Sequence, residues 1–130
     1  MDVNELIANA KIARGYSHSP YSNYSVGAAL LTASGKVYTG CNIENHGLMS
    51  ICSERTAFLK AISEGEKEFV SIAVVAGPHG SEAGGTTPCG YCRQFMSEFV
   101  NKDFKVYTLA KEGNVVEYTM EDLLPHSFIF

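Results

Sequence analysis

Positive charge is in short supply in this chain: 10 Lys and Arg stand against 14 Asp and Glu among 130 residues, a formal net charge of −4 with the histidines neutral. A phosphate polymer is normally met by a basic face, so this balance argues against nucleic acid as the partner and leaves small molecules. No apolar run approaches the roughly 18 to 20 residues a membrane span requires, and Met1 to Asn9 has neither the basic start nor the apolar centre of a signal peptide. No membrane is expected, and the cytoplasm is the expected compartment. Repeats, low-complexity tracts and Pro/Ser-rich linkers are also missing, which points to one domain over residues 1–130. Cysteine is limited to Cys41, Cys52, Cys89 and Cys92. In a reducing compartment these read as thiols, ligands or core residues rather than two bridges. What the chain does have is 45% hydrophobic residues, enough for a core without disulfide staples, which excludes intrinsic disorder.

The hydrophobic pattern alternates between helical and extended periods. Asp2 can cap a helix whose apolar positions Val3, Leu6, Ile7, Ala10 and Ala13 share a face, with Gly15 to end it. Residues 24–31 read as a strand, and Ser34-Gly35 turns the chain into a second strand at Lys36 to Gly40, an antiparallel hairpin. From Cys52 a helix carries Ala57, Phe58, Ala61 and Ile62 as far as Gly65, and a buried strand follows from Phe69 to Ala76. A Gly-rich loop, Gly77 to Thr87, leads past Pro88 into a third helix with Phe95, Met96 and Phe99 at helical spacing. Phe104 to Leu109 and Val115 to Tyr118 read as strands around a turn at Glu112-Gly113-Asn114. The order α-β-β-α-β-α-β-β predicts an α/β fold, a mixed sheet with helices on both faces.

The chemistry gathers at two predicted helix starts, Cys52-Ser53-Glu54-Arg55 and Pro88-Cys89-Gly90-Tyr91-Cys92. The helix dipole favours a thiolate at an N-terminus, and Cys89 and Cys92, three apart, point to the same side, so three sulfurs can converge on one metal. Zinc suits three soft ligands with an open fourth position, an arrangement that belongs to catalytic rather than structural sites. One Cys-x-x-Cys taken alone is equally a pair of small core residues or a redox couple. Three cysteines, a non-ligand Glu two residues after the first, and a later Pro-Cys-x-x-Cys together form the pattern of zinc deaminases.

The chain resembles the small, homotetrameric, three-cysteine cytidine deaminases along nearly its whole length. The matching stretches are Pro20-Tyr21-Ser22, Val26-Gly27-Ala28-Ala29-Leu30, Gly40-Cys41-Asn42-Ile43-Glu44-Asn45, Cys52-x-Glu54-Arg55-Thr56-Ala57, Pro88-Cys89-Gly90-x-Cys92-Arg93-Gln94 and Leu123-Leu124-Pro125-x-x-Phe128. The resemblance implies a three-layer α/β/α fold around a five-stranded mixed sheet. It also implies hydrolysis of cytidine and 2′-deoxycytidine to uridine and 2′-deoxyuridine with release of ammonia, and one Zn²⁺ per chain held by Cys52, Cys89 and Cys92. Glu54 is then the proton shuttle: water activated at the site must lose a proton to attack C4, and a carboxylate two residues beyond a ligand can pass it to the ring N3 and the leaving amine. Three thiolates against Zn²⁺ leave one excess negative charge, which makes water a poorer acid. Arg55, beside the first ligand, is assigned to hydrogen bonding a thiolate sulfur and offsetting that charge.

On the substrate side the resemblance assigns Asn42 and Glu44 to the ribose hydroxyls, Tyr24 to stacking on the base where the family often has Phe, and Ser53 to substrate contact. Phe128 matches an aromatic residue that reaches into a neighbouring subunit's site; beside Ile129 and Phe130 it also reads as a hydrophobic plug. Cys41 reads as a small buried residue, and His18, His79 and His126 as ordinary loop residues. Two stretches depart from the pattern. His46-Gly47-Leu48-Met49 replaces a small-small-Tyr segment, and the loop from Gly77 to Thr87 is long and Gly-rich, so it either covers the pocket or flexes in solvent. The alternatives are a deaminase of a related aminopyrimidine nucleoside such as blasticidin S, a zinc-stapled binding module lacking its fourth ligand, and a dithiol redox protein.

Overall fold

The computed structural model describes residues 1–46, 50–81 and 84–129. Nine elements follow in order: α1 (Val3–Arg14), β1 (Tyr24–Thr32), β2 (Val37–Cys41), α2 (Ser53–Ser63), β3 (Phe69–Pro78), α3 (Gly90–Ser97), β4 (Lys105–Leu109), β5 (Val115–Thr119) and α4 (Met120–Leu123). The eight predicted elements are present in the predicted order. The addition is α4, a single turn inside the expected tail, closed by a reciprocal cap in which the Thr119 hydroxyl accepts from the Asp122 amide and the Asp122 carboxylate accepts from the Thr119 amide. Asp2 occupies the N-cap position of α1, but its side chain makes no capping bond. The third strand runs two residues past its expected end, because Ser25 and Tyr24 of β1 pair with Gly77 and Pro78.

The strands form one mixed sheet in the order β2-β1-β3-β4-β5, antiparallel except for the β3–β4 pair. A parallel pair needs a crossover, and the chain from 79 to 104, with α3 in it, supplies that connection. Alternate strand residues feed two cores. Ala29, Ala73 and Val75 meet Leu6, Ile7 and Ala10 of α1 on one face. Ala28, Leu30, Ile72, Val74 and Val106 meet Ala57, Phe58, Ala61 and Met96 of α2 and α3 on the other. Phe58 is fully buried there, with the Phe69 ring 5.0 Å away and the Phe95 ring edge-on at 6.1 Å. Burying one such side chain stabilises the fold by about 1.5–3 kcal/mol. The result is the expected three-layer α/β/α architecture.

Two glycines set how closely the helices approach the sheet. A Cβ at Gly27 would stand 2.1 Å from the Ala10 carbonyl oxygen of α1, and one at Gly40 would stand 2.5 Å from the Ser53 carbonyl oxygen of α2. The second contact seats the start of α2, with Cys52 at its cap and Ser53-Glu54 in its first turn, directly against the end of β2, which Asn42 immediately follows.

Candidate active site

Cys52 is the N-cap residue of α2 and Cys89 that of α3, so both sulfurs sit where unpaired helix amides face outward. The Cys89 sulfur accepts from the Cys92 amide at 3.5 Å, taking the place of the usual Ser or Asp cap. Cys92 lies within α3's first turn and is fully buried. The three sulfurs lie within 4.8 Å of one another, and Cys52 and Cys89 are 3.8 Å apart. A tetrahedral zinc with Zn–S bonds near 2.3 Å places its sulfurs about 3.8 Å apart, so the cluster already has the spacing of the ion it would hold. The donor set fits zinc, with three protein ligands and the fourth position left for water. The neighbouring Cys92 sulfur, with the Arg55 guanidinium and the Cys89 sulfur, holds the Cys52 thiol down to about 5 against the opposing effect of burial. The same closeness to Cys52, reinforced by burial, pushes the Cys92 thiol up.

A cavity of about 250 Å³ opens beside the sulfurs, lined by Tyr24, Val26, Asn42, Glu44, Cys52, Ser53, Glu54, Val74, Thr86, Thr87 and Cys89 among others. Its size suits one small ligand. Glu54 reaches it from the second position of α2 and is 3% exposed. Burial pushes its carboxyl up from the ordinary carboxylate range, while the Ser53 hydroxyl, donating to Oε1 at 2.7 Å, pulls the other way. A buried carboxyl whose proton affinity is raised is suited to take a proton and hand it on.

Two further polar side chains of the cavity lining are fully oriented. Asn42 Oδ1 accepts from the Ser17 hydroxyl at 2.5 Å and the Val26 amide at 2.9 Å, and its Nδ2 donates to the Tyr24 carbonyl at 2.8 Å. One amide hydrogen is left to offer a ligand. Glu44 Oε1 accepts from the Tyr21 and Ser22 amides at 3.0 and 3.1 Å, and Oε2 accepts from the Ser22 hydroxyl at 2.5 Å. These bonds, the Ser22 hydroxyl foremost, hold the Glu44 carboxyl below its ordinary range. The remaining lone pair on Oε2 makes it an acceptor. Together the pair presents one donor and one acceptor.

Tyr24 also lines the cavity, and its hydroxyl is 2.8 Å from the Thr86 hydroxyl. Thr86 and Thr87 belong to the Gly-rich loop, whose end therefore covers the pocket wall; Gly84 seats it against the Ala110 backbone. Arg55 stands outside the cavity, with Nη2 3.6 Å from the Cys52 sulfur. Phe128 is 64% exposed and is not among the described residues lining its own chain's cavity. Cys41 is half-buried, and burial pushes its thiol up. Of the departure His46-Gly47-Leu48-Met49, residues 47–49 lie outside the described residues. Sequence reasoning missed the residues that orient the others, Ser17, Ser22 and Thr86. It also missed the full role of Arg93, which donates to the Pro88 carbonyl and Thr87 hydroxyl at 2.7 Å and to the Leu123 carbonyl at 2.8 Å, fixing the approach to Cys89.

Three converging sulfurs, a buried carboxylate two residues after the first and a small-molecule cavity at the crossover of an α/β sheet define a metal-dependent hydrolase. Comparison with known proteins narrows the class. A family model for the cytidine and deoxycytidylate deaminase zinc-binding region matches residues 2–108. A cytidine deaminase of Sporosarcina psychrophila is 47% identical over 129 residues, covering 98% of this chain and 92% of that protein. The crystal structure of cytidine deaminase from Burkholderia pseudomallei superposes with a TM-score of 0.89 at 42% identity, covering 98% of this chain and 100% of that one. A blasticidin-S deaminase from Bacillus cereus is more distant, 31% identical over 124 residues, covering 92% of this chain and 85% of that protein. The chain belongs to the cytidine deaminase family. It is an enzyme of the zinc-dependent deaminase type.

Proposed function

We propose that the chain hydrolyses cytidine and 2′-deoxycytidine to uridine and 2′-deoxyuridine with release of ammonia, as a pyrimidine-salvage enzyme of the cytoplasm. The carrying observation is the cavity itself, whose lining brings Glu54 and two sulfurs of the three-cysteine cluster together with the oriented pair Asn42 and Glu44. Zinc, when bound, supplies a Lewis acid that turns water into a nucleophile at neutral pH. The chain's own groups do the rest. Glu54 takes the first proton that water gives up and delivers it to the pyrimidine N3, then takes the second from the new C4 hydroxyl and delivers it to the departing amine, its low-dielectric pocket keeping both from solvent. Asn42 donates to one ribose oxygen while Glu44 accepts from a ribose hydroxyl, and Tyr24 stacks on the base. Ser53 orients the Glu54 carboxylate and lies at the cavity wall, where it meets the substrate. Arg55 draws charge from the Cys52 sulfur, so that three thiolates still permit an acidic water.

Ammonia release from cytidine, 2′-deoxycytidine, cytosine, adenosine and blasticidin S, measured in parallel on zinc-loaded protein, tests this reading. The first two substrates should dominate, and free cytosine should be poor because it leaves Asn42 and Glu44 without partners. Blasticidin S turning over faster than both nucleosides would move the assignment to the alternative, since that substrate has no use for the ribose pair.

The same reading treats residues 1–130 as a single catalytic domain that assembles into a homotetramer with sites shared between subunits. Its support is the tail: Phe128 and Ile129 are 64% and 77% exposed, an apolar end that calls for cover. Gln94 Nε2 of α3 donates to the Phe128 carbonyl at 3.2 Å and holds the tail beside that helix. Phe128→Ala should raise KM for cytidine about fivefold through lost stacking, with zinc content intact. Hybrids co-refolded from Phe128→Ala and Glu54→Gln chains should exceed the summed activity of the two separate variants. Hybrids verified by mass whose activity stays at that sum would make Phe128 a plug in its own chain.

A further inference from the structure

Arg55 is held by more than its sulfur. Its Nη2 donates to the Ser50 carbonyl at 3.2 Å as well as to the Cys52 sulfur at 3.6 Å, and its buried Nε finds no hydrogen-bond partner among the described residues. Two bonds through one nitrogen leave a long side chain free to pivot. The face of the guanidinium, however, lies 4.2 Å from the centroid of the Tyr91 ring. Tyr91 is 66% exposed, so its ring covers the guanidinium from the solvent side. It sits in the first turn of α3, between Cys89 and Cys92. The turn that supplies two sulfurs thus also covers the cation serving the third, which itself comes from α2.

We propose that Tyr91 is a positioning residue that stacks on the Arg55 guanidinium and keeps it against the Cys52 sulfur, thereby setting how strongly that sulfur donates to the bound metal. The inference rests on the zinc reading of the three cysteines. Its physical basis is that a guanidinium over an aromatic face is attracted by the ring quadrupole, and the attraction grows as water is excluded. Without the ring, water can solvate the guanidinium face, and Arg55 divides its time between the sulfur and the solvent. The Cys52 sulfur then carries more of its negative charge, and water at the open position becomes a weaker acid.

Cobalt-substituted protein gives a direct reading, because the sulfur-to-cobalt charge-transfer band moves to longer wavelength as the sulfur becomes more electron-rich. The set is wild type, Tyr91→Ala, Tyr91→Leu, Tyr91→Phe, Arg55→Gln and the Tyr91→Ala/Arg55→Gln double variant, with kcat and KM for cytidine measured on the zinc forms. Tyr91→Ala should shift the band in the same direction as Arg55→Gln and lower kcat about 3- to 10-fold, with KM within about 2-fold of wild type. Tyr91→Leu, which keeps bulk without a ring face, should follow Ala, while Tyr91→Phe should restore the wild-type band and kcat. In the Arg55→Gln background, Tyr91→Ala should add nothing. An unshifted band and unchanged kcat in both Tyr91→Ala and Tyr91→Leu would overturn the proposal. An equal loss with and without Arg55 would also overturn it, as expected if Tyr91 served a subunit contact instead. Failure of wild type to take up one cobalt per chain would overturn the metal reading itself, and it would be seen before any variant is compared.

Discussion

Glu54→Gln chains should keep their zinc and their melting temperature and lose cytidine turnover by a factor on the order of 10⁴, the upper range for a general acid–base group. The carboxyl is 3% exposed and faces the cavity beside the Cys52 sulfur. Gln has the same shape, and its carbonyl oxygen can still accept from the Ser53 hydroxyl at the position of Oε1, so packing survives. What disappears is an atom that can take a proton. Since Glu54 is asked to serve twice, at the nucleophile and at the leaving amine, no single bypass restores the reaction. Single-turnover deamination with zinc measured on the same sample checks the point. Turnover within tenfold of wild type in zinc-replete Glu54→Gln would assign the proton transfers elsewhere.

Cys89→Ala should abolish zinc binding and destabilise the chain together. The sulfur caps α3 and stands 3.8 Å from the Cys52 sulfur at the head of α2, so the ion it helps hold ties two helix starts that are 37 residues apart. At free zinc about 1,000-fold above its dissociation constant, a ligand specific for the folded state contributes about 4 kcal/mol, and losing it should lower the melting temperature by roughly 15 °C. Metal content and thermal unfolding of the variant, beside wild type with and without a chelator, measure both. Chelated wild type should approach the variant, and acidification should release the metal from wild type because protons compete for the same sulfurs. Full zinc occupancy in active Cys89→Ala would remove Cys89 from the ligand set.

The parts of this molecule that were legible in its sequence are those encoded locally. Leu6, Ile7, Ala10 and Ala13 recur at helical spacing and do form the buried stripe of α1; Ala28 and Leu30 alternate with Gly27 and Ala29 and do face opposite cores. Cys89 and Cys92 share one helical turn, and Glu54 follows Cys52 by two, so that they gather at one site could be read from spacing. The orienting contacts were not legible, because each joins residues far apart with no repeat to betray it. Ser17 meets Asn42 across 25 positions, Ser22 meets Glu44 across 22, and Tyr24 meets Thr86 across 62. The turn of α4 was hidden for another reason. Four residues are too few for a periodic signal, and the turn is defined by the reciprocal bonds of Thr119 and Asp122 and the Leu124 amide donating to the Met120 carbonyl.

The central strand also decides in what order this enzyme can come into being. The hairpins β1–β2 and β4–β5 close over short turns, and such hairpins form in about 1–10 μs. β3 must then join both, antiparallel to β1 and parallel to β4, and these distant pairings carry the loop-closure cost that slows folding. Cys52 precedes β3 in the chain and Cys89 follows it, so the metal site closes a loop that contains the whole central strand. If the sulfurs meet only after that strand has docked, zinc should slow unfolding and leave the refolding rate unchanged, which refolding and unfolding kinetics with and without zinc would show.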